Sequence, residues 1–250
     1  MNHAPFSSPQ GMVRFIKGTM ARGKDLMMGI EGQPGTGKST TGSVIAKNIK
    51  PGFNMQRDSI KDFDHLLQSL YECRSGELYV VDEAVNIFYN QDWASWEAKG
   101  LSKIIRQMRI MHGCWILNQP DFDGLHPYVR ESRIPLRIYH PPVYDSGGMS
   151  NGPSQVYWKN EYFSWEEQRV VKRWQCVIQE FSVPCMDGDA AWAGYEDDKV
   201  ANFRRLVDDL RKRRASEQTK EVRAMARAKK RAPKASAATS PPLLRRGGPP

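Results

Sequence analysis

The chain lacks any long hydrophobic run. No stretch of about 18 apolar residues occurs in its 250 residues, which excludes a membrane-crossing helix. Met1 to Lys17 holds no apolar segment beside a cleavage site, so a secretory signal is not expected. Cysteine is scarce. Cys73, Cys114, Cys176 and Cys185 show no C-x-x-C spacing, which argues against a zinc site or a disulfide framework and for a reducing, intracellular setting. No internal repeat is visible. What remains is ordinary for a globular protein: hydrophobic residues are 40% and charged residues 26%, enough for a substantial core. The length suits one domain with appendages or two small domains.

Charge is unevenly divided. Residues 204–250 hold 15 Lys/Arg against 4 Asp/Glu, a net of +11, whereas residues 1–203 hold 22 against 24, a net of −2. A near-neutral body with a strongly basic appendage points to a polyanionic partner met through that end, nucleic acid foremost, beside the plainer reading of a solvated tail that aids solubility.

Hydrophobic patterning expects an α/β order. Residues 1–24 are polar and glycine-rich and read as a loose arm. Asp25–Glu31 reads as a buried strand, Ser39–Ile49 as a helix stopped by Pro51-Gly52, and Phe53–Gln56 as a short strand. Ser59 and Asp62 resemble a capping box before a helix with Ile60, Phe63, Leu66, Leu67 and Leu70 on one stripe. Leu78–Asp82 is a second buried strand. A helix spans Trp96–Met111, with Gly113 as its C-terminal cap. Cys114–Leu117 and Ile134–Tyr139 are further strands. This alternation is that of a parallel sheet covered on both faces. Residues 142–160 read as a hairpin insertion with a long glycine-rich turn. Residues 161–185 are ambiguous between helix and strand. The domain expectation is an arm over 1–24, a central α/β domain over 25–200, a basic helical extension over 201–231 and a disordered tail over 232–250.

Gly32-Gln33-Pro34-Gly35-Thr36-Gly37-Lys38-Ser39 fits G-x-x-x-x-G-K-[ST], and it lies between an expected strand and an expected helix. Glycines let backbone N–H groups turn inward around a phosphate without Cβ clashes. The following helix offers its positive end, Lys38 adds a cation at the β- and γ-phosphates, and the Ser39 hydroxyl suits Mg²⁺; Thr40 follows directly. Asp82, at the end of an apolar run about forty residues on, suits a second Mg²⁺ contact, and Glu83 suits activation of a water. Gln119, with Asn118, ends the next strand, where an amide can reach the γ-phosphate or the attacking water. Arg106, Arg109 and Arg133 are candidates for an arginine finger, beside the plainer reading of surface or DNA-facing charges. Trp158, Trp165, Trp174 and Trp192 read as packing residues in preference to base-stacking ones.

The Walker A segment Gly32–Ser39, the run Leu-Tyr-Val-Val-Asp82-Glu83-Ala, an arginine-bearing helix and a hydrophobic strand ending in Gln119 together resemble the FtsK–HerA superfamily of DNA-pumping ATPases. The compact size is similar to genome-packaging ATPases of internal-membrane, double-jelly-roll viruses. The Asp82-Glu-Ala-Val-Asn-Ile-Phe88 and Arg-x-x-Arg…Gln-Pro segments resemble the ATPase domain of Zot-like filamentous-phage assembly proteins. The resemblance covers about residues 25–140. It implies a RecA-like P-loop fold, ATP and Mg²⁺ as cofactors, Lys38 and Ser39 on phosphate and metal, Asp82 on Mg²⁺, Glu83 activating water and Gln119 as sensor. It also implies a homo-oligomeric ring, usually a hexamer, that drives DNA through its channel, and a place in host cytoplasm or virion beside a capsid vertex or a membrane-associated viral protein. Zot-like proteins carry a membrane span after the ATPase domain, and its lack here favours packaging over membrane-linked export.

Other readings fit less well. Asn118-Gln-Pro-Asp121 lacks the lysine of the guanine-reading motif N-K-x-D, and Asp82-Glu-Ala-Val85 lacks the glycine of D-x-x-G, which disfavours a GTPase. A small-molecule kinase needs a basic lid, and residues 142–160 hold only Lys159. A non-enzymatic nucleic-acid binder leaves the phosphate loop unused.

Overall fold

A computed structural model describes residues 4–72, 75–88, 96–145, 148–151 and 153–183, and positions 189, 192, 194, 195, 197–201, 204, 205, 207, 208, 211, 212 and 214. In chain order its elements are α1 (Pro9–Ala21), β1 (Leu26–Gly32), α2 (Lys38–Ile49), α3 (Met55–Asp58), β2 (Ser59–Ile60), α4 (Phe63–Glu72), β3 (Leu78–Val81), α5 (Val85–Phe88), α6 (Trp96–Gln107), β4 (Cys114–Gln119), β5 (Leu136–His140), β6 (Pro142–Asp145), β7 (Gly148–Asn151), β8 (Ser154–Ser164) and β9 (Arg169–Phe181). The chain divides into two compact units, Met1–Glu196 and Asp197–Pro250. The described positions of the second unit from 197 to 214 are helical. The tail expected to be disordered, 232–250, lies outside the described residues.

In the first unit a seven-stranded sheet runs in the order β2-β3-β4-β1-β5-β8-β9. The first five strands are parallel, and β8 and β9 extend the sheet antiparallel. Every residue of β1, β3 and β4 is buried, because both faces of the sheet are covered. Alternation splits the apolar residues. Met28, Ile30, Val80, Ile116 and Ile138 face α1, α2 and Phe53, while Met27, Tyr79, Val81, Trp115 and Leu117 face Leu66, Phe88, Ile105 and Phe122. The Tyr79 and Trp115 rings stack at 4.2 Å on that second face.

Several local expectations change. The expected loose arm holds α1, which Ser8 caps through the Gly11 N–H and which buries Met12 and Ile16. Phe6 and Phe15 pack against Trp158. The expected strand at 53–56 is not formed; α3 begins there at Met55, started by Asn54, whose side chain accepts from the Arg57 N–H. Ser59 belongs to β2 and closes α3, its hydroxyl donating to the Met55 carbonyl, and does not start α4; Asp62 caps α4 by accepting from the His65 N–H at 2.7 Å. After α6 and a 3₁₀ turn it is His112, not Gly113, that takes the left-handed conformation, with φ 49°. The expected single hairpin over 142–160 resolves into a small β6–β7 ribbon and a strand, β8, that pairs with β5. Residues 161–181 are strand with a turn at 165–168, and Ser164 accepts from the Glu167 N–H inside that turn, not at a helix start. Trp165 is 79% exposed at that turn, so it is not a packing residue.

Candidate nucleotide site

Three strand ends meet at one sheet edge. β1 runs into the loop 33–37, β3 into Asp82-Glu83, and β4, which lies between them, ends at Asn118-Gln119. Ligands of open parallel sheets bind at this carboxyl edge.

The path of the loop depends on its glycines. A Cβ on Gly32 would lie 2.7 Å from the His140 carbonyl oxygen and from Thr36 Oγ1, and Gly37 has φ 86° as the residue that opens α2. The loop is drawn around one carbonyl: Thr36 Oγ1 and Lys38 Nζ each donate to the Gln33 oxygen at 2.8 Å. Gln33, Pro34 and Gly35 are exposed at its crest, while Lys38 is buried. No side chain caps α2 and no acidic residue sits in its first turn, so its positive end is left for an anion. Thr40 is half-buried in that turn.

Across the edge, Ser39 Oγ donates to Asp82 Oδ1 at 3.0 Å. Asn118 Nδ2 donates to the same oxygen at 3.2 Å, and the Tyr195 hydroxyl donates to Asp82 Oδ2. Asn118 reaches this place because residue 42 is glycine; a Cβ there would lie 2.9 Å from Asn118 Oδ1. Asn118 Oδ1 is buried and has no hydrogen-bond partner among the described residues. A serine hydroxyl, a buried carboxylate and an unsatisfied amide oxygen are hard oxygen donors, and they fit Mg²⁺. Glu83 is half-buried beside them at φ 53°, a left-handed conformation that costs a non-glycine residue about 1 kcal/mol. The Ala84 N–H, donating to the Asn118 carbonyl at 2.7 Å, ties that turn to β4.

The structure thus gathers Gly32–Thr40, Asp82 and Glu83 at one edge. Gln119 is not part of the group. Side chains alternate along β4, so Asn118 faces Asp82 while Gln119 points to the opposite face, near Gly29 and Phe122, with both amide atoms buried and unpartnered among the described residues. The strand-end amide on the phosphate-loop side is therefore Asn118. Arg133 is also elsewhere: its buried side chain pairs with Asp25, which precedes β1, at the opposite sheet edge, so it serves as a tether there and not as a finger. Arg106 is exposed on α6, 5.3 Å from the Tyr128 ring centroid. Arg109 lies in the 3₁₀ turn after α6. Sequence reasoning gave Asn118 little weight and missed Tyr195 and His140.

His140 ends β5 beside Gly32, and its Nδ1 lies 3.0 Å from the Ser154 hydroxyl. Burial, then the nearby Lys38 charge, push its imidazole down from 6.5 to about 4, against a smaller opposing pull from the Thr36 backbone. The unfolded chain therefore binds a proton that the fold does not between those values. Stability is full above pH 6.5 and falls by roughly 3 kcal/mol as pH drops from 6.5 to 4. Urea unfolding at pH 7 and pH 4.5 checks this: His140→Asn should lose about 2 kcal/mol less than the parent on acidification. Parallel losses would contradict the assignment.

No family model matches the chain, and no curated protein matches its sequence. Among solved structures, it is similar to the genome-packaging NTPase B204 of Sulfolobus turreted icosahedral virus 2 in complex with AMPPCP, at 11% identity and a TM-score of 0.35, over 60% of this chain and 97% of that one. It is similar to the same NTPase in complex with ATP-γS, at 11% identity and a TM-score of 0.38, over 64% and 98%. It is also similar to the N-terminal domain of zonular occludens toxin from Neisseria meningitidis, at 11% identity and a TM-score of 0.40, over 67% and 98%. The fold itself rests on the chain's own strand order and on the glycine loop between β1 and α2: this is an α/β protein of the RecA-like P-loop fold.

Proposed function

We propose that the chain is a Mg²⁺-dependent ATPase that uses hydrolysis to move or package DNA. The observation that carries the reading is the 3.0 Å contact between Ser39 and Asp82, made where α2 begins and where Lys38 and Glu83 flank it. Loop N–H groups and the α2 end grip the β-phosphate, and Lys38 leaves the Gln33 carbonyl to meet the phosphate oxygens. Ser39 and Asp82 would hold Mg²⁺, which when bound would supply charge neutralisation at the phosphates. Asn118 keeps Asp82 turned toward Ser39. Glu83 takes the proton of the attacking water.

DNA is the proposed partner on charge. The net of +11 over residues 204–250 suits binding to phosphates, and a homo-oligomeric ring, a hexamer in this reading, passes the polymer through its centre. No helix among the described residues is long and apolar enough to cross a membrane. Truncation after Leu210 tests the coupling. DNA binding should weaken, and the slope of log affinity against log salt should flatten by roughly 0.9 for each duplex phosphate that the tail neutralised. DNA stimulation of turnover should fall with it. An unchanged salt slope would remove the tail from the mechanism.

A further inference from the structure

Asp82 is held from a direction that the motifs do not announce. Its Oδ1 is engaged by Ser39 and Asn118, both from elements of the sheet edge, whereas its Oδ2 accepts from Tyr195, distant by 113 positions in the chain. Tyr195 lies after β9 and is 3% exposed.

The segment that delivers it is anchored at several points. Asp189 pairs with Lys47 of α2, the helix that opens at Lys38. The Trp192 N–H donates to the Asp189 carbonyl at 2.9 Å, and the Tyr195 N–H donates to the Trp192 carbonyl at 3.1 Å. The two aromatic rings lie 4.4 Å apart. Gly194, at φ 74°, passes so close to α3 that a Cβ there would sit 2.2 Å from Gln56 Oε1. Glycine is needed at that point for the chain to turn there and place residue 195 over the strand end.

We infer that Tyr195 is a positioning residue of the nucleotide site, whose hydroxyl locks the Asp82 carboxylate so that Oδ1 stays turned to Ser39. The inference rests on the nucleotide-site reading above and extends it. A carboxylate at a strand end rotates about its last bond. Donors on both oxygens, set on separate anchored segments, fix that rotation before the cation arrives. Without the tyrosine donor, Oδ2 is buried with one fewer partner and the carboxylate turns away to satisfy it, at the expense of the Ser39–Asp82 pair.

The test uses the full chain carrying Glu83→Gln, so that nucleotide stays intact, with a fluorescent ATP analogue as probe. Affinity is measured in EDTA and along a Mg²⁺ titration, with and without Tyr195→Phe. Phenylalanine keeps the ring against Trp192 and removes only the donor. The expected result is an unchanged affinity in EDTA and a rise on the order of tenfold in the Mg²⁺ needed for half-maximal tightening. An identical Mg²⁺ titration overturns the inference while leaving the nucleotide site standing. A lower Mg²⁺ requirement overturns it by making the hydroxyl a competitor of the cation. An equal loss of affinity in EDTA overturns it by reducing Tyr195 to packing. If the parent protein binds no analogue under any condition, the nucleotide-site reading falls, and this inference with it.

Discussion

Lys38→Ala should abolish measurable ATP binding. In this structure the ammonium is buried and satisfied by the Gln33 carbonyl at 2.8 Å, so the loop holds its shape around a cation poised for phosphate. A charge-assisted hydrogen bond contributes about 1.5–3 kcal/mol, and engagement of both β- and γ-phosphates makes the loss roughly 10²- to 10⁴-fold in affinity. The alanine also empties the buried space under the loop and removes one of the donors to the Gln33 oxygen, leaving that of Thr36. Equilibrium binding of labelled ATP, read beside a thermal unfolding curve, separates lost affinity from lost fold. Affinity within threefold of the parent would contradict the role given to Lys38.

Glu83→Gln should behave in the opposite sense, with nucleotide binding kept and turnover reduced by about 10²- to 10⁴-fold, the usual worth of a positioned general base. The amide is isosteric and keeps the strained φ 53° backbone as it is, so the turn after β3 is preserved. Ser39, Asn118 and Tyr195 still hold Asp82, so the cation site survives the change. A lost kcat with an intact Kd is the signature of an interaction made only on the way to the transition state. A variant that loses both would place Glu83 among the binding groups instead.

The readable part of this molecule was the local part. A phosphate loop declares itself because its glycines answer to backbone demands a few residues apart, such as φ 86° at Gly37. The central strands were readable as apolar runs because both of their faces are covered. Which strand-end amide faces α2 depends on strand phase: a one-residue difference exchanges Gln119 for Asn118, and nothing in the run Cys-Trp-Ile-Leu-Asn-Gln fixes that phase without its neighbours. Gly42 was the available clue, a small residue on α2 where Asn118 must fit. Helix α1 was hidden by Gly11 and Gly18, weak helix formers that suggested a loose arm, although Ser8-Pro9 and the spacing of Met12 and Ile16 are consistent with a capped amphipathic turn. The long strands β8 and β9 mix exposed and buried positions with aromatics and charges, so neither period dominates. Arg133 and Tyr195 owe their roles to partners 108 and 113 positions away, a distance over which no spacing rule applies.

The site's geometry also assigns different costs to its parts. His140 under the loop is held neutral by burial and by Lys38, so acid should loosen the floor of the site while the loop above it keeps its charge. Asp82 accepts from Ser39, Asn118 and Tyr195, which lets the proposed metal-binding end of the site persist, though weakened, through single changes around it.

The most direct test is release of orthophosphate from ATP by the purified full chain in Mg²⁺, with and without DNA, run beside the Glu83→Gln variant at matched nucleotide occupancy. The account predicts steady release by the parent, faster with DNA, and a fall of at least about 10²-fold in the variant. No release by a parent protein that demonstrably holds ATP and Mg²⁺ would contradict it.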